Sequence, residues 1–151
     1  MIQFLYGQDE LVSRLVANLQ GAEHGRRNCK TIGVLDETGE FLGGAVFYNW
    51  NPEAGIIEIS ASAISPRWLS RRTLKRIGEF VFHECECQLL LVYIRADHER
   101  VLTLLAGLGF TFRLVPRLFG RDLDGVLCTL TDDEWFDGRI SRGAHTTKEA
   151  A

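Results

Sequence analysis

A carboxylate and two hydroxyls recur at every second position of one apolar segment. Glu58, Ser60 and Ser62 lie within the stretch from Ile56 to Ile64, whose isoleucine content and near-alternation predict a central β-strand. On an unbulged strand these side chains share one face with Ile64. A carboxylate there can take a proton from an amine, and the serines can hydrogen-bond a substrate. Glu58 is therefore a candidate general base, and a strand glutamate that is only exposed or hydrogen-bonded fits the pattern equally well.

A basic stretch follows this strand and contains two alternative helix starts. Its basic residues are Arg67, Arg71, Arg72, Lys75 and Arg76. If Ser70 caps the helix, the amides of the next residues can bind a phosphate at its N-terminus. If Ser65 is the cap and Pro66 the first helical residue, no loop remains for a phosphate. The arginines by themselves are also typical of a solvated helix face.

The cysteines indicate neither a disulfide framework nor a metal site. Cys29, Cys85, Cys87 and Cys128 are too irregularly spaced for the disulfides of a small secreted domain. In segment 83–87, helical spacing puts His83 and Cys87 on one face and Cys85 on the other, with no second ligand pair nearby. We therefore expect a reducing compartment and no bound metal.

The composition is that of one globular domain. The chain has 151 residues, of which 46% are hydrophobic and 25% charged, enough for an apolar core. A net charge of −3 indicates neither a nucleic-acid nor a membrane partner. The first residues lack the basic region and the apolar run of a signal or membrane span. A cytoplasmic protein is expected.

Hydrophobic periodicity predicts strands interrupted by helices. Strands are expected at 2–6, 31–35, 41–50, 56–64, 88–95, 110–119 and 125–130. Helices are expected after Asp9 and Asp97, each serving as N-cap, and over about residues 72–85. The order β-α-β-β-β-α-β-α-β-β around one core indicates an α+β fold. We place one domain at 1–136 and expect a disordered tail at 137–151.

Two local patterns, in this order of elements, resemble the GNAT superfamily of N-acetyltransferases between Thr31 and Leu130. The first is Glu-Ile at 58–59 followed by Ile-Ser-Pro-Arg-Trp at 64–68, similar to the family's central strand and the proline before its cofactor loop. The second is Leu-Leu-Ala-Gly-Leu-Gly-Phe at 104–110, which resembles the end of the family's last helix. The sequence Pro-Arg-Trp-Leu-Ser-Arg-Arg at 66–72 is also similar to a divergent, often bacteriophage-encoded branch of this superfamily. The resemblance implies a central mixed, mostly antiparallel sheet flanked by helices.

The resemblance also implies that acetyl-CoA binds where the central strand and the strand from Leu89 to Ile94 splay apart. In that mechanism a backbone N–H near Ala63 or Ile64 polarises the thioester carbonyl. The cofactor-binding positions expected on this basis are Ala63, Ile64, Ser65, Leu69, Ser70, Arg71, Arg72, Thr73, His98 and Val101.

This sequence departs from the family at several of its motif positions. The family's glycine-rich loop falls on Leu69, Arg72 and Leu74, so that both loop glycines are missing. The family's asparagine near the start of the last helix falls on His98, and its tyrosine, which protonates the leaving thiolate, falls on Leu105.

The function implied is transfer of an acetyl group from acetyl-CoA to an amine by direct attack, with Glu58 as base and His98 as the candidate acid for the thiolate. Tyr48 and Tyr93 are the other groups that can protonate it. The substrate pocket is expected to include Tyr48, Ser60, Ser62 and Tyr93. Two alternatives remain open, a GNAT-fold binding or regulatory protein without catalysis and a nucleic-acid-modifying enzyme. The identity of the amine that accepts the acetyl group also stays open. So does the oligomeric state, for which a homodimer is one alternative.

Overall fold

One sheet holds all the strands in the part of the chain that the structure describes, which is residues 1–138 and residue 140 of a computed structural model. Strands β1 to β7 are Gln3–Leu5, Lys30–Leu35, Phe41–Asn51, Ile56–Ala63, Leu89–Arg95, Thr111–Val115 and Gly125–Thr131. Helices α1 to α4 within the same residues are Asp9–Leu19, Arg71–Gly78, Glu99–Gly107 and Asp132–Asp137. None of these helices is long and apolar enough to cross a bilayer.

The strand order across the sheet is β1-β2-β3-β4-β5-β7-β6. Neighbouring strands run antiparallel except β4 and β5, which are parallel. A parallel pair needs a crossover connection, and here α2 provides it. The predicted α+β class, with a mixed and mostly antiparallel sheet flanked by helices, is confirmed, and so is the predicted order of elements up to β7.

Helices cover both faces of the sheet, and each face has its own buried cluster. On one side, the α1 face, Val12 and Val16 of α1 pack with Val46 of β3. On the other side, the α2 face, Ile77 belongs to the same buried cluster as Phe47. Because successive strand residues point to opposite faces, every strand residue can be assigned to one face by its register.

The helical segment that begins with α2 continues beyond Gly78 as π-type turns over Glu79–Glu84. The amide of Cys85 donates to the carbonyl of Phe80 at 2.9 Å, five residues earlier. The extra residue per turn shifts the helix phase, so that the adjacent residues Val81 and Phe82 are both buried. The helix predicted over 72–85 is thus continuous, with α-helical geometry up to Gly78 and π-helical geometry after it.

The predicted capping roles of Asp9 and Asp97 are wrong. Helix α1 begins at Asp9 itself, and that carboxylate instead accepts from the amide and the hydroxyl of Thr31, both at 2.9 Å. Asp97 pairs with the guanidinium of Arg95 at 2.9 Å, and α3 follows His98 without a side-chain cap. Both aspartates therefore bind tertiary or strand partners in preference to the nearest helix amides.

The end of the domain differs from the prediction. Strand β6 stops at Val115, four residues early, because Pro116 has no N–H for the ladder and Arg117 has φ +61°. The helix α4 was not predicted, although Thr131 and Glu134 form a capping box at its start. A disordered tail was expected at 137–151. The structure describes only residues 137, 138 and 140 of it, and the rest of that prediction lies outside the described residues.

Candidate functional site

The parallel strands β4 and β5 separate partway along their length. Their pairing covers only Ile56–Glu58 against Leu89–Leu91, although β4 continues to Ala63 and β5 to Arg95. On its other edge β4 stays paired with β3 as far as Ala63, and β5 stays paired with β7 as far as Arg95. The sheet therefore contains a V-shaped opening between the second halves of β4 and β5, which we call the fork.

Backbone groups of β4 point into the fork. The amide of Ile64 donates to the carbonyl of Leu42 in β3 at 2.8 Å, and thus points away from the fork. Since the N–H and C=O groups of successive strand residues point to opposite edges, those of Ala61 and Ala63 point into it. Ala63 and Ile64 were the two positions predicted to polarise the thioester carbonyl through a backbone amide. Of these two amides, that of Ala63 points into the fork and that of Ile64 does not.

A cavity of about 780 Å³ continues from the fork on the α2 face, between α2 and α3. This volume is typical of small-molecule sites, as is the mainly apolar lining. The predicted site residues that line it are Ala63, Leu69, His98, Val101 and Ser62. Gly78, Leu130 and Trp135 line it further from the fork. The cavity thus connects the opening in the sheet with the space beneath both helices.

Both helix starts considered from the sequence occur, one after the other. Ser65 caps a short 3₁₀ turn at Pro66–Trp68, its hydroxyl accepting from the amide of Arg67 at 3.2 Å. The chain then breaks, and Ser70 caps α2 by accepting from the amide of Thr73 at 3.2 Å. Helix α2 therefore has its own N-terminus at one side of the cavity, where the helix dipole favours an anion.

Two of the predicted cofactor positions use their side chains within the fold. Arg72 donates to the carbonyl of Ile2 at 2.6 Å, and its guanidinium lies 4.7 Å from the ring centre of Phe4. Thr73 is buried and donates to the carbonyl of Trp68 at 2.7 Å. The side chains of Arg72 and Thr73 are therefore engaged, and the amide of Thr73 is bonded to the Ser70 hydroxyl. Of these two residues, Arg72 can still offer a ligand its backbone amide.

Carboxylates pair with other members of the basic stretch. The pairs are Arg67 with Glu37, Lys75 with Glu79 and Arg76 with Glu84. Arg71 is exposed at the first position of α2. The surface of α2 is therefore a set of mixed charges rather than a row of positive ones.

The start of α3 faces the cavity through two predicted residues. His98 precedes the helix, and its amide donates to the carbonyl of Arg95 at 3.0 Å. Val101 lies one turn further along, and Leu105, which occupies the position of the family's tyrosine, also lines the cavity. An aliphatic side chain has no proton to donate, so on this wall His98 is the titratable candidate.

The predicted catalytic strand face is intact. Pairing with β3 is regular from Glu58 to Ala63, so Glu58, Ser60 and Ser62 lie on the α1 face. Ile64 lies beyond the end of the strand and is 67% exposed, so it does not extend this row. The structure brings the carboxylate and both serines together beside the fork.

A β-bulge positions an additional residue against Glu58. The register of β3 shifts between Tyr48 and Asn51, and Asn49 there has φ +50°. The side-chain amide of Asn49 donates to Oε2 of Glu58. The bulge thus orients the carboxylate with a neutral donor and leaves its charge in place.

Two tyrosines flank Glu58 on the α1 face. Tyr48 of β3 pairs with Glu58 across the β3–β4 pair, and Leu91 of β5 pairs with Glu58 across the β4–β5 pair. Tyr93 lies two residues after Leu91, on the same face of the sheet. Burial raises the pKa of the Tyr48 phenol, Arg26 opposes this, and the charge of Glu58 adds to it. Tyr48 therefore remains a protonated hydrogen-bond donor at neutral pH.

The end of α1 reaches the fork from this face. The side-chain amide of Gln20 donates to the hydroxyl of Ser60 at 2.9 Å and to the carbonyl of Ala61 at 3.3 Å. That carbonyl points into the fork, so Gln20 lies at the boundary between the fork and the α1 face. Leu19 beside it lines the cavity, which means that the opening reaches both faces of the sheet.

The cysteines are free thiols, and burial makes three of them poor nucleophiles. It raises the pKa of Cys85 and of Cys128 to about 11, and that of Cys87 above its ordinary value. A neutral thiol attacks carbonyls poorly. Across the described part of the chain, no three His, Cys, Asp or Glu side chains are grouped so that they could hold a metal ion.

Three residues at the site were not found from the sequence: Arg26, Gln20 and Asn49. Asn49 carried a weak signal, since asparagine tolerates the left-handed backbone of a bulge better than most residues. Arg26 and Gln20 contact partners that are distant along the chain, and their positions carry no pattern from which these contacts can be read.

The chain matches no protein-family model and no curated protein sequence. Solved structures do match. Spermidine/spermine N-acetyltransferase SpeG from Vibrio cholerae is 11% identical with a TM-score of 0.75, over 91% of this chain and 98% of that chain. A candidate acetyltransferase from Acinetobacter baylyi ADP1 is 19% identical with a TM-score of 0.68, over 87% of this chain and 93% of that one. The chain therefore has the fold of the GNAT acetyltransferases, as its sequence patterns predicted.

Proposed function

We propose that this chain is an acetyl-CoA-dependent N-acyltransferase that transfers an acetyl group to an amine by direct attack. The observation that carries the proposal is the fork, where β4 and β5 stop pairing after Glu58 and Leu91 and the gap opens into a cavity of about 780 Å³. A core without a ligand role would be expected to close such a gap, because protein interiors are close-packed.

The residues around the fork fit coenzyme A. The backbone groups of Ala61 and Ala63 can hydrogen-bond an amide-containing arm laid along β4. The N-terminus of α2 suits a diphosphate, and Arg71 adds positive charge there. Of the two residues at the family's loop-glycine positions, Leu74 lines the cavity, and the side chain of Arg72 donates to the carbonyl of Ile2 instead.

Acetyl-CoA supplies an activated acyl group as a thioester. In our proposal Glu58 takes the proton of the attacking amine, directly or through water, while Asn49 keeps the carboxylate in place. The amide of Ala63 stabilises the negative charge that develops on the carbonyl oxygen. His98 donates a proton to the leaving thiolate, with Tyr48 and Tyr93 as alternatives on the other face. A covalent cysteine intermediate is disfavoured by the raised thiol pKa values.

Release of coenzyme A from acetyl-CoA in the presence of amines tests the proposal, together with a thermal shift. Binding must raise the melting temperature if acetyl-CoA prefers the native state. Glu58→Gln should keep the thermal shift and lower kcat by about 100-fold or more, the scale of a lost general base. Glu53→Gln, on the exposed turn of the same hairpin, is the matched control and should leave kcat unchanged.

A second candidate is a binding or regulatory protein of the same fold. Leu105 in the place of the family's tyrosine favours it, because that wall of the cavity loses a proton donor. Such a protein would show the thermal shift with acetyl-CoA but no coenzyme A release with any amine. Modification of nucleic acid has less support, since the carboxylates described above pair with most of the basic stretch. Salt-sensitive binding to DNA or RNA would revive that alternative.

The assembly and the compartment are further expectations. SpeG from Vibrio cholerae is described as dodecameric, and for this chain a homodimer is one expected state, which light scattering would establish. A cytoplasmic location follows from the free thiols only as an expectation.

A further inference from the structure

We propose that the amine accepted at this site also carries an anionic group, a carboxylate or a phosphate, which Arg26 binds. This inference rests on the proposed acyltransferase function and narrows its acceptor. It starts from a loop that follows α1, whose attachment to the helix fixes the position of one arginine.

The loop is fastened at its centre to the buried side of α1. The Ser13 hydroxyl, only 2% exposed, accepts from the amide of Arg26 at 2.6 Å and donates to the carbonyl of Arg26 at 3.2 Å. The chain at Gly25 comes so close that a Cβ there would lie 2.6 Å from Oγ of Ser13. The backbone of Arg26 is therefore held in place although its side chain is exposed.

This attachment directs Arg26 over the α1 face of the site. Its guanidinium carbon lies 3.6 Å from the ring centre of Tyr48, the strand partner of Glu58. Within residues 1–138 and 140, no carboxylate lies within 4.0 Å of this guanidinium. The guanidinium also makes a hydrogen bond to the Tyr48 phenol, and its remaining N–H groups match carboxylate and phosphate oxygens.

The charges around the site favour an acceptor with one amine and one anion. Glu58 is the only acidic residue in the sequences of β3, β4 and β5, so the strands that form and flank the fork offer one carboxylate to a cation. A polyamine, the substrate named for SpeG, would bring a further positive charge toward Arg26. An amine that reaches Glu58 while its anionic end reaches Arg26 meets the opposite charge at each end.

The test compares amines of equal length that differ only at the far end: an ω-amino acid, an aminoalkyl phosphate, an amino alcohol and a diamine. We expect kcat/KM for at least one anionic amine to exceed that for the amino alcohol by about tenfold or more, since hydrogen bonds to charged groups have that strength. The carboxylate and phosphate arms show which anion is preferred. A higher kcat/KM for the diamine than for both anionic amines would overturn the inference.

Variants of two neighbouring arginines separate recognition from general charge. Arg26→Gln should abolish the preference mainly through KM, and Arg26→Glu should shift it toward the diamine. Arg27→Gln removes an exposed charge one residue away and should leave the preference unchanged. Equal effects of Arg26→Gln and Arg27→Gln would contradict a specific role for Arg26.

Equilibrium binding keeps the inference testable without turnover. Calorimetric titration of the same ω-amino acid and aminoalkyl phosphate should show binding to the unchanged chain and a loss of about tenfold or more in Arg26→Gln. If this Arg26-dependent binding is present but no amine releases coenzyme A, only the proposed enzymatic function fails. If neither ligand distinguishes the two proteins, the inference about Arg26 fails.

Discussion

The side-chain amide of Asn49 donates a hydrogen bond to the carboxylate of Glu58, across the bulged end of the β3–β4 pair. The bulge is what makes this contact possible, because Asn49 adopts φ +50° and leaves the regular alternation of β3. A neutral amide orients the carboxylate without cancelling its charge. For a group proposed to accept a proton, fixed orientation and retained charge are both needed.

Replacing Asn49 with glycine tests this positioning role. Glycine adopts a positive φ without strain, so Asn49→Gly removes the side chain and preserves the bulge. We expect kcat to fall by about tenfold, with the KM for acetyl-CoA unchanged, since a misplaced catalytic group costs about one to two orders of magnitude.

The same substitution in a Glu58→Gln background supplies the control. If Asn49 acts only through the carboxylate, Asn49→Gly should have no further effect on kcat there. A full tenfold loss in both backgrounds would show that Asn49 acts on something other than Glu58.

The contact between Gly78 and Trp135 predicts a sharp difference between two glycine substitutions. A Cβ on Gly78 would lie 2.2 Å from Cζ2 of Trp135, so Gly78→Ala must displace α4 from α2. We expect the free energy of unfolding to fall by about 1–3 kcal/mol, as in other overpacked sites. Gly107→Ala, where nothing lies within 4 Å of the added Cβ, is the control and should be neutral or slightly stabilising. Urea unfolding measures both, and similar values would contradict the tight contact.

The fold could be predicted because it depends on patterns that are local in the chain. Alternation in β4 and the apolar run in β5 reflect which faces are buried, and the periodicity of α2 reflects its packed side. The two serine caps were also visible, but the sequence offered them as alternatives. Only the structure shows that Ser65 and Ser70 each start a helical segment.

Periodicity alone predicted the site only where its residues lie on one strand, and the resemblance to a known family added Leu69, His98 and Val101, which line the cavity. Glu58, Ser60 and Ser62 followed from a period of two, whereas Gln20 reaches Ser60 from 40 residues away. Asp9 shows the same limit in another way, because its carboxylate prefers the amide and hydroxyl of Thr31 to the nearest helix amides. Long-range partners of polar side chains leave no periodic signal.

The Ser70 cap predicts a measurable contribution to stability. Ser70→Ala removes the acceptor for the amide of Thr73, and we expect the free energy of unfolding to fall by about 1 kcal/mol. Ser65→Ala should cost less, because its hydroxyl caps only a short 3₁₀ turn. Denaturant titration distinguishes them. A larger loss for Ser65→Ala would mean that α2 effectively starts at Pro66, which would weaken the case for a diphosphate site at Ser70.

The buried thiol of Cys128 predicts how stability depends on alkaline pH. Burial raises its pKa to about 11 in the folded chain, whereas an unfolded thiol titrates near its ordinary value of about 8.5. Between these values the unfolded state binds fewer protons than the folded state, so the free energy of unfolding must fall as pH rises. The expected contribution is about 1 kcal/mol per pH unit over that window, and none below it.

Cys128→Val keeps the side chain apolar and should flatten this part of the curve in urea titrations from pH 7 to 10.5. An unchanged slope in Cys128→Val would show that other groups, and not this thiol, produce the alkaline loss.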